Sequence, residues 1–89
     1  MTTIDIIRIK SIFGALNNEK RLQIIFLCSD KEMTVTQLSK KLGLNYSITV
    51  EYTSMLEKAN LIKKTRNSNK TVSVKSLVRI NENGEIKRI

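Results

Sequence analysis

Histidine, proline and tryptophan are absent from the 89-residue chain, and cysteine occurs once, at Cys28. Without histidine, Ser-His-Asp and Cys-His catalytic groups cannot be assembled, and a Cys/His zinc site has no ligand set. A single cysteine closes no internal disulfide. No apolar run approaches the roughly 18–20 residues that a membrane-spanning helix needs. The first residues fall directly into an amphipathic pattern, not the blocks of a secretory signal. Phe13, Phe26, Tyr46 and Tyr52 are the whole aromatic set, too scattered for the base-stacking platform of an RNA binder. Glycine is confined to positions 14, 43 and 84, where it acts as punctuation. These absences argue against an enzyme. The expectation is no catalytic residues, no cofactor, no metal and no membrane partner.

What is present is positive charge. Sixteen Lys and Arg against eight Asp and Glu give a formal net charge of +8. Residues 1–60 carry eight basic and six acidic side chains; residues 61–89 carry eight basic and only two acidic. The last third therefore holds most of the electrostatic signal, inside a strand-like pattern and not a featureless run. A solvated basic tail is the plain alternative. The pattern favours an anionic partner, most often nucleic acid, and a cytoplasmic, nucleoid-associated protein. The length allows one small domain.

Along the chain, Thr2 or Thr3 can cap a first helix, with Asp5 favoured in its first turn by the helix dipole. At about 100° per residue, Ile6, Ile9, Ile12, Phe13 and Leu16 form one stripe. Ile4 and Ile7 fall on the other side, as a second apolar patch or as two stray surface residues. Asn17 and Asn18 can cap a second helix from residue 19 to about 29. Leu22, Ile25, Phe26 and Cys28 are expected to face inward there, with Ile24 and Leu27 adding width. Cys28 reads as a small buried hydrophobe, with a reactive thiol as the alternative.

After a polar turn at residues 29–32, Thr34 caps a short third helix, with Gln37 at the capping-box position. Val35, Leu38 and Leu42 give its apolar face, and Gly43 ends it in a left-handed conformation. Asn45 caps a fourth helix running to about residue 60. Helix, tight glycine turn, helix is the layout of a helix-turn-helix. Beyond Leu61 the pattern alternates around Asn67-Ser68-Asn69-Lys70, which predicts a β-hairpin. Leu77 to Ile80 can extend its second strand. Residues 81–85 read as a tight turn into a third short strand, favoured by Asn83-Gly84, or as the start of a short helix capped by Asn81.

Three pieces of this pattern resemble the ArsR type of winged helix-turn-helix, in a version most like archaeal members. They are the segment from Ala15 through Arg21 to Ile25, the segment from Gln37 through Gly43 to Ser47, and Leu56 through Asn60 to Ile62. Asn60 stands where glycine is usual and tolerates left-handed geometry. The fold class implied is mainly α with a small β-hairpin (α+β), in the order α-α-α-α-β-β. The implied division is a single domain over residues 1–89, with the helix-turn-helix at 34–60, the wing at 61–76 and a short C-terminal extension at 77–89. Thr49 and Thr53 replace a usual Val and Leu, which leaves a competing inward stripe of Ile48, Tyr52, Met55 and Ala59. The burial expected is Tyr52, Leu56 and either Ile48 or Thr49. Metal sensing, which in such proteins uses Cys and His, does not carry over.

The function implied is a transcriptional regulator that binds double-stranded DNA as a homodimer. A recognition helix reads base edges with its N-terminal half, which here offers Asn45, Tyr46, Ser47, Val50, Glu51 and Ser54. Glu51 either accepts from a cytosine N4 or pairs with a basic neighbour. No arginine stands on this helix, so direct base readout is modest and shape and phosphate contacts weigh more. Thr34, Thr36, Gln37, Lys40 and Lys41 gather near a helix N-terminus, where anions are favoured. The wing supplies Lys63, Lys64, Arg66, Asn67, Asn69 and Lys70 for the minor groove or its phosphates. In place of a long C-terminal helix, the N-terminal helix is the expected dimer contact, through Ile4, Ile6 and Ile7. The competing reading is an architectural DNA binder with little sequence preference. A protein-binding winged helix is a third class, opposed by the charge of the last third.

Overall fold

The computed structural model describes residues 3–89, with side chains from residue 5 onward. Thr2, and the side chains of Thr3 and Ile4, lie outside the described residues. The helices are α1 (Thr3–Leu16), α2 (Glu19–Asp30), α3 (Val35–Leu42) and α4 (Tyr46–Lys58). The strands are β1 (Met33–Thr34), β2 (Ile62–Arg66), β3 (Val72–Ser76), β4 (Val78–Ile80) and β5 (Ile86–Arg88). The fold is α+β, with four helices and small antiparallel sheets. Three strands pair in the order β1-β3-β2, and β4 pairs with β5 separately.

The helix ends follow from their capping chemistry. Asn18 accepts a hydrogen bond from the Arg21 backbone N–H at 3.1 Å and starts α2. Thr34 and Gln37 close a reciprocal capping box, each side chain accepting the other's backbone N–H. Gly43, at φ +66°, stops α3 in the left-handed region. Asn45 Oδ1 accepts the Ile48 N–H at 2.8 Å and starts α4 only three residues after α3 ends. Asn60 also takes the left-handed conformation, at φ 59°, so an asparagine does the work of glycine at the exit of α4.

The core is gathered around α2, whose Ile24, Ile25 and Cys28 are fully buried against Val35, Leu38, Leu56, Leu61, Val74 and Val78. This differs from the inward face expected for α2. Phe26 is half-exposed and Leu22 only partly buried, because the stripe through Arg21, Ile24, Ile25 and Cys28 points inward and Phe26 lies on the opposite side. Burial pushes the Cys28 thiol up to about 12, as suits a small hydrophobe and not a nucleophile.

In α4 the inward stripe is Thr49, Thr53, Leu56 and Ala59. The expected burial of Tyr52 is corrected to partial, and Met55 is exposed. Two buried threonines are tolerated because each hydroxyl bonds back to its own helix. Thr49 Oγ1 donates to the Asn45 carbonyl at 2.9 Å, and Thr53 Oγ1 to the Thr49 carbonyl at 2.9 Å. Ser39 Oγ on α3 lies 3.0 Å from Thr49 Oγ1, which ties the two helices of the turn together.

Arg21 is buried without a carboxylate. Its Nε donates to the Ala15 carbonyl at 2.7 Å and its Nη2 to the Gly14 carbonyl at 3.3 Å. Both carbonyls lie in the last turn of α1, where a cation is favoured, and that of Gly14 also accepts the Asn17 N–H at 3.4 Å. The guanidinium also sits 5.1 Å from the centroid of the Tyr52 ring, a cation–π distance. One side chain thus joins α1, α2 and α4.

β1 departs from the expected order; the turn into a short C-terminal strand forms as one of the two alternatives expected, but Val78–Ile80 pairs with that strand and does not extend β3. β1 is a two-residue strand formed only because Met33 and Thr34 meet Val74 and Ser73 of β3; no local pattern announces it. The C-terminal residues form a second hairpin, β4–β5, around a turn in which Asn81 Oδ1 accepts from the N–H groups of Asn83 and Glu85, both at 2.9 Å. The stripe expected to bury α1 does so only at its end. Ala15 and Leu16 are buried and Ile12 is half-buried, but Ile6, Ile9 and Phe13 are exposed.

Candidate nucleic-acid interface

The helix-turn-helix presents the N-terminal turn of α4 to solvent. Asn45, Tyr46, Ser47 and Glu51 are exposed there. Asn45 spends its carbonyl oxygen on the cap, which leaves its amide N–H groups to donate. Val50 is partly buried and packs against the core, so it offers an edge and not a free side chain. Glu51 has no ion-pair partner among the described residues, where the ion pair found is Arg79 with Asp30 at 3.5 Å.

On α3, Thr36, Gln37, Lys40 and Lys41 are exposed, whereas Thr34 is partly buried and committed to the capping box. Gln37, Lys40 and Lys41 share a cleft of about 390 Å³ with Lys31 and Met33. Lys31 was not foreseen as part of this group. It stands in the turn before β1, and only the folded chain brings it to α3.

The wing divides its basic side chains between two faces. Strand alternation places Ile62, Lys64 and Arg66 on one side of β2 and Lys63 on the other. The first side faces α4, since Lys64 Nζ donates to Ser54 Oγ at 2.9 Å. Partial burial lowers the pKa of Lys64 from its ordinary value of 10.5, with the charge of Glu57 acting the other way. Lys63 instead lies opposite Lys75 of β3. A like-charged cross-strand pair is unfavourable in an isolated sheet, and it adds Lys75 to the positive surface. The signal for Lys75 lay in the register, which the sequence did not specify.

The tip of the wing is held by its own asparagines. Asn67 Nδ2 donates to Thr71 Oγ1 at 2.9 Å and to Ser73 Oγ at 2.7 Å. Asn69 Oδ1 accepts from the Thr71 hydroxyl at 2.6 Å. Lys70 follows in the left-handed region at φ 67°. The turn is therefore ordered by Asn67 and Asn69, while Arg66 and Lys70 project from it, exposed. The surface as a whole joins the start of α4, the exposed side of α3 and a basic hairpin with a hydrogen-bonded tip. No group of three or more His, Cys, Asp or Glu among the described residues is placed to hold a metal ion. No helix among them is long and apolar enough to cross a membrane.

The family model described as "Bacterial regulatory protein, arsR family" matches residues 18–64. Solved structures with the same fold include HlyU from Vibrio cholerae N16961, at 25% identity and a TM-score of 0.74, covering 84% of this chain and 80% of that one. NolR from Sinorhizobium fredii is 26% identical with a TM-score of 0.75, covering 85% and 78%. A homodimeric winged helix-turn-helix DNA-binding domain from Mycobacterium bovis, a possible ArsR-family transcriptional regulator, is similar in fold at 21% identity and a TM-score of 0.75, covering 80% and 65%. A comparison with curated proteins gave no match.

Proposed function

The chain belongs to the arsR family of bacterial regulatory proteins, and from that premise we propose that it is a transcriptional regulator that binds duplex DNA as a homodimer. Residues 1–89 act as one unit, with the helix-turn-helix at 34–60, the wing at 61–76 and the second hairpin in the extension at 77–89. The observation that carries this reading is the hydrogen bond from Lys64 to Ser54. It fixes the basic face of the wing beside α4, so both meet one duplex together.

In this reading α4 enters the major groove through Asn45, Tyr46, Ser47 and Glu51, with Val50 and Ser54 at its margin. Thr36, Gln37, Lys40 and Lys41 hold the phosphates beside α3, where Thr34 supports the cap. Lys64, Arg66 and Lys70 meet the backbone or minor groove flanking the site, on a tip shaped by Asn67 and Asn69, and Lys63, on the other face of β2 beside Lys75, adds to the positive field. A two-fold dimer sets the two α4 helices about 34 Å apart, one duplex turn. The exposed Ile6 and Ile7 of α1 supply the self-contact, with Ile4 assigned from its position in the helix. The protein works in the cytoplasm, on the nucleoid. The likeness to archaeal members rests on Asn45-Tyr46-Ser47 alone, and the similar structures named above come from bacteria.

The absence of arginine from α4 favours one competing reading, an architectural binder that reads DNA mainly by shape and charge. The DNA reading itself is tested by the salt dependence of binding. With roughly 6–8 phosphates neutralised per dimer, log K falls against log salt with a slope of about −5 to −7. Replacing Lys63, Arg66 and Lys70 by alanine makes that slope shallower and weakens binding to every sequence. A slope near zero in the parent protein contradicts the proposal.

A further inference from the structure

A groove of about 310 Å³ runs between α1 and the second hairpin. Its walls are apolar, from Ile9, Ile12, Phe13, Val78 and Ile86, except for one side chain, Arg88. That volume lies at the lower end of the about 300–1,000 Å³ typical of small-molecule sites. Ile12 and Arg88 also wall an adjoining cleft of about 220 Å³, where Arg8 and Lys58 converge with Ser11 and Asn60. Three cations thus meet at one end of an apolar groove. No acidic side chain lines either cavity, and none of the three cations has an ion-pair partner among the described residues. Convergent cations without a counter-charge repel one another, and an anion relieves the repulsion. An apolar body is favoured in the groove by area removed from water.

We propose that the α1–β5 groove is a binding site for a small amphiphilic carboxylate, its apolar body between Ile9, Phe13 and Ile86 and its acid group on Arg88, Arg8 and Lys58. The groove's volume selects a medium-chain or single-ring acid over a long acyl chain. Arg88 gives the site its direction. Its Nη1 donates to the Asn60 carbonyl at 2.8 Å, and its remaining N–H groups are free to form the paired bonds that a carboxylate accepts from a guanidinium. Asn60 is the left-handed residue at the exit of α4. A carboxylate drawn onto Arg88 therefore bears directly on the end of α4. Any consequence for DNA rests on the reading above, so the test uses no DNA.

Calorimetric titration of the full chain with sodium decanoate, kept below its micelle concentration, reads the site directly. Saturable binding is expected at one site per chain, with decanol at least tenfold weaker and inorganic phosphate failing to displace decanoate. R88Q weakens decanoate binding at least tenfold, R88K by less, and R8Q by a smaller factor, each with an unchanged melting temperature. Equal affinity for decanol, displacement by phosphate, or no saturable binding overturns the proposal. So does decanoate binding that only accompanies dissociation of a dimer in parallel sedimentation runs, since the groove would then be the seat of a second copy.

Discussion

The α3–α4 pair and the face shared by α1 and the second hairpin draw on similar side chains and finish differently. In the α3–α4 pair every apolar residue of the inward stripe is covered. The helix ends are capped, and even the hydroxyls of Ser39, Thr49 and Thr53 find acceptors. Around α1, Phe13 is 63% exposed, Ile7 61%, Phe26 49% and Ile6 48%. Phe13 and, from α2, Phe26 line one cavity and Ile7 lies on the other side of α1; exposed apolar side chains in such number on a small protein mark association. One region is complete within a single chain, and the other is built to be covered.

Substitutions in the two regions therefore have different consequences. Leu38→Ala opens a cavity in the complete region and costs about 2–5 kcal/mol in denaturant unfolding. Arg21→Met leaves the Ala15 carbonyl without its buried donor and costs about 1.5–3 kcal/mol by the same measurement. Gly43→Ala meets no neighbouring atom, so only the left-handed backbone resists it, at about 1–2 kcal/mol. The smallest effect on folding belongs to the other region. Ile6→Asp with Ile7→Asp changes the stability of the dilute chain by no more than about 0.5 kcal/mol. It does abolish self-association in sedimentation at higher concentration. Loss of stability as large as that of Leu38→Ala would place these residues in the core; persistence of the dimer would move the interface elsewhere.

How much of this was legible in the sequence depended on how local each signal was. The capping box of Thr34 and Gln37, the left-handed Gly43 and the Asn45 cap are contained within a few residues, and all three form as the sequence predicts. The rotation of α4 was harder to read. Thr49 and Thr53 look polar in sequence, yet their hydroxyls turn onto the helix backbone and the residues pack as apolar ones. α2 misled in the opposite sense, since Phe26 is apolar but lies opposite the buried stripe. β1 and the Lys63–Lys75 pairing depend on register with β3, which no short stretch encodes. In the site, the charged residues of the wing were visible as charge. Their division between two faces, and the use of Asn67 and Asn69 to shape the tip, were visible only once the strands were paired.

The central claim is that this surface reads duplex DNA. Its most direct test is selection from a labelled random-site DNA pool against excess bulk DNA at two salt concentrations. The account predicts salt-sensitive binding and enrichment of a near-palindromic site by roughly 10³-fold or more over bulk DNA. Salt-sensitive binding with no enriched site would replace the regulator by an architectural protein. Absence of binding at either salt would contradict the account.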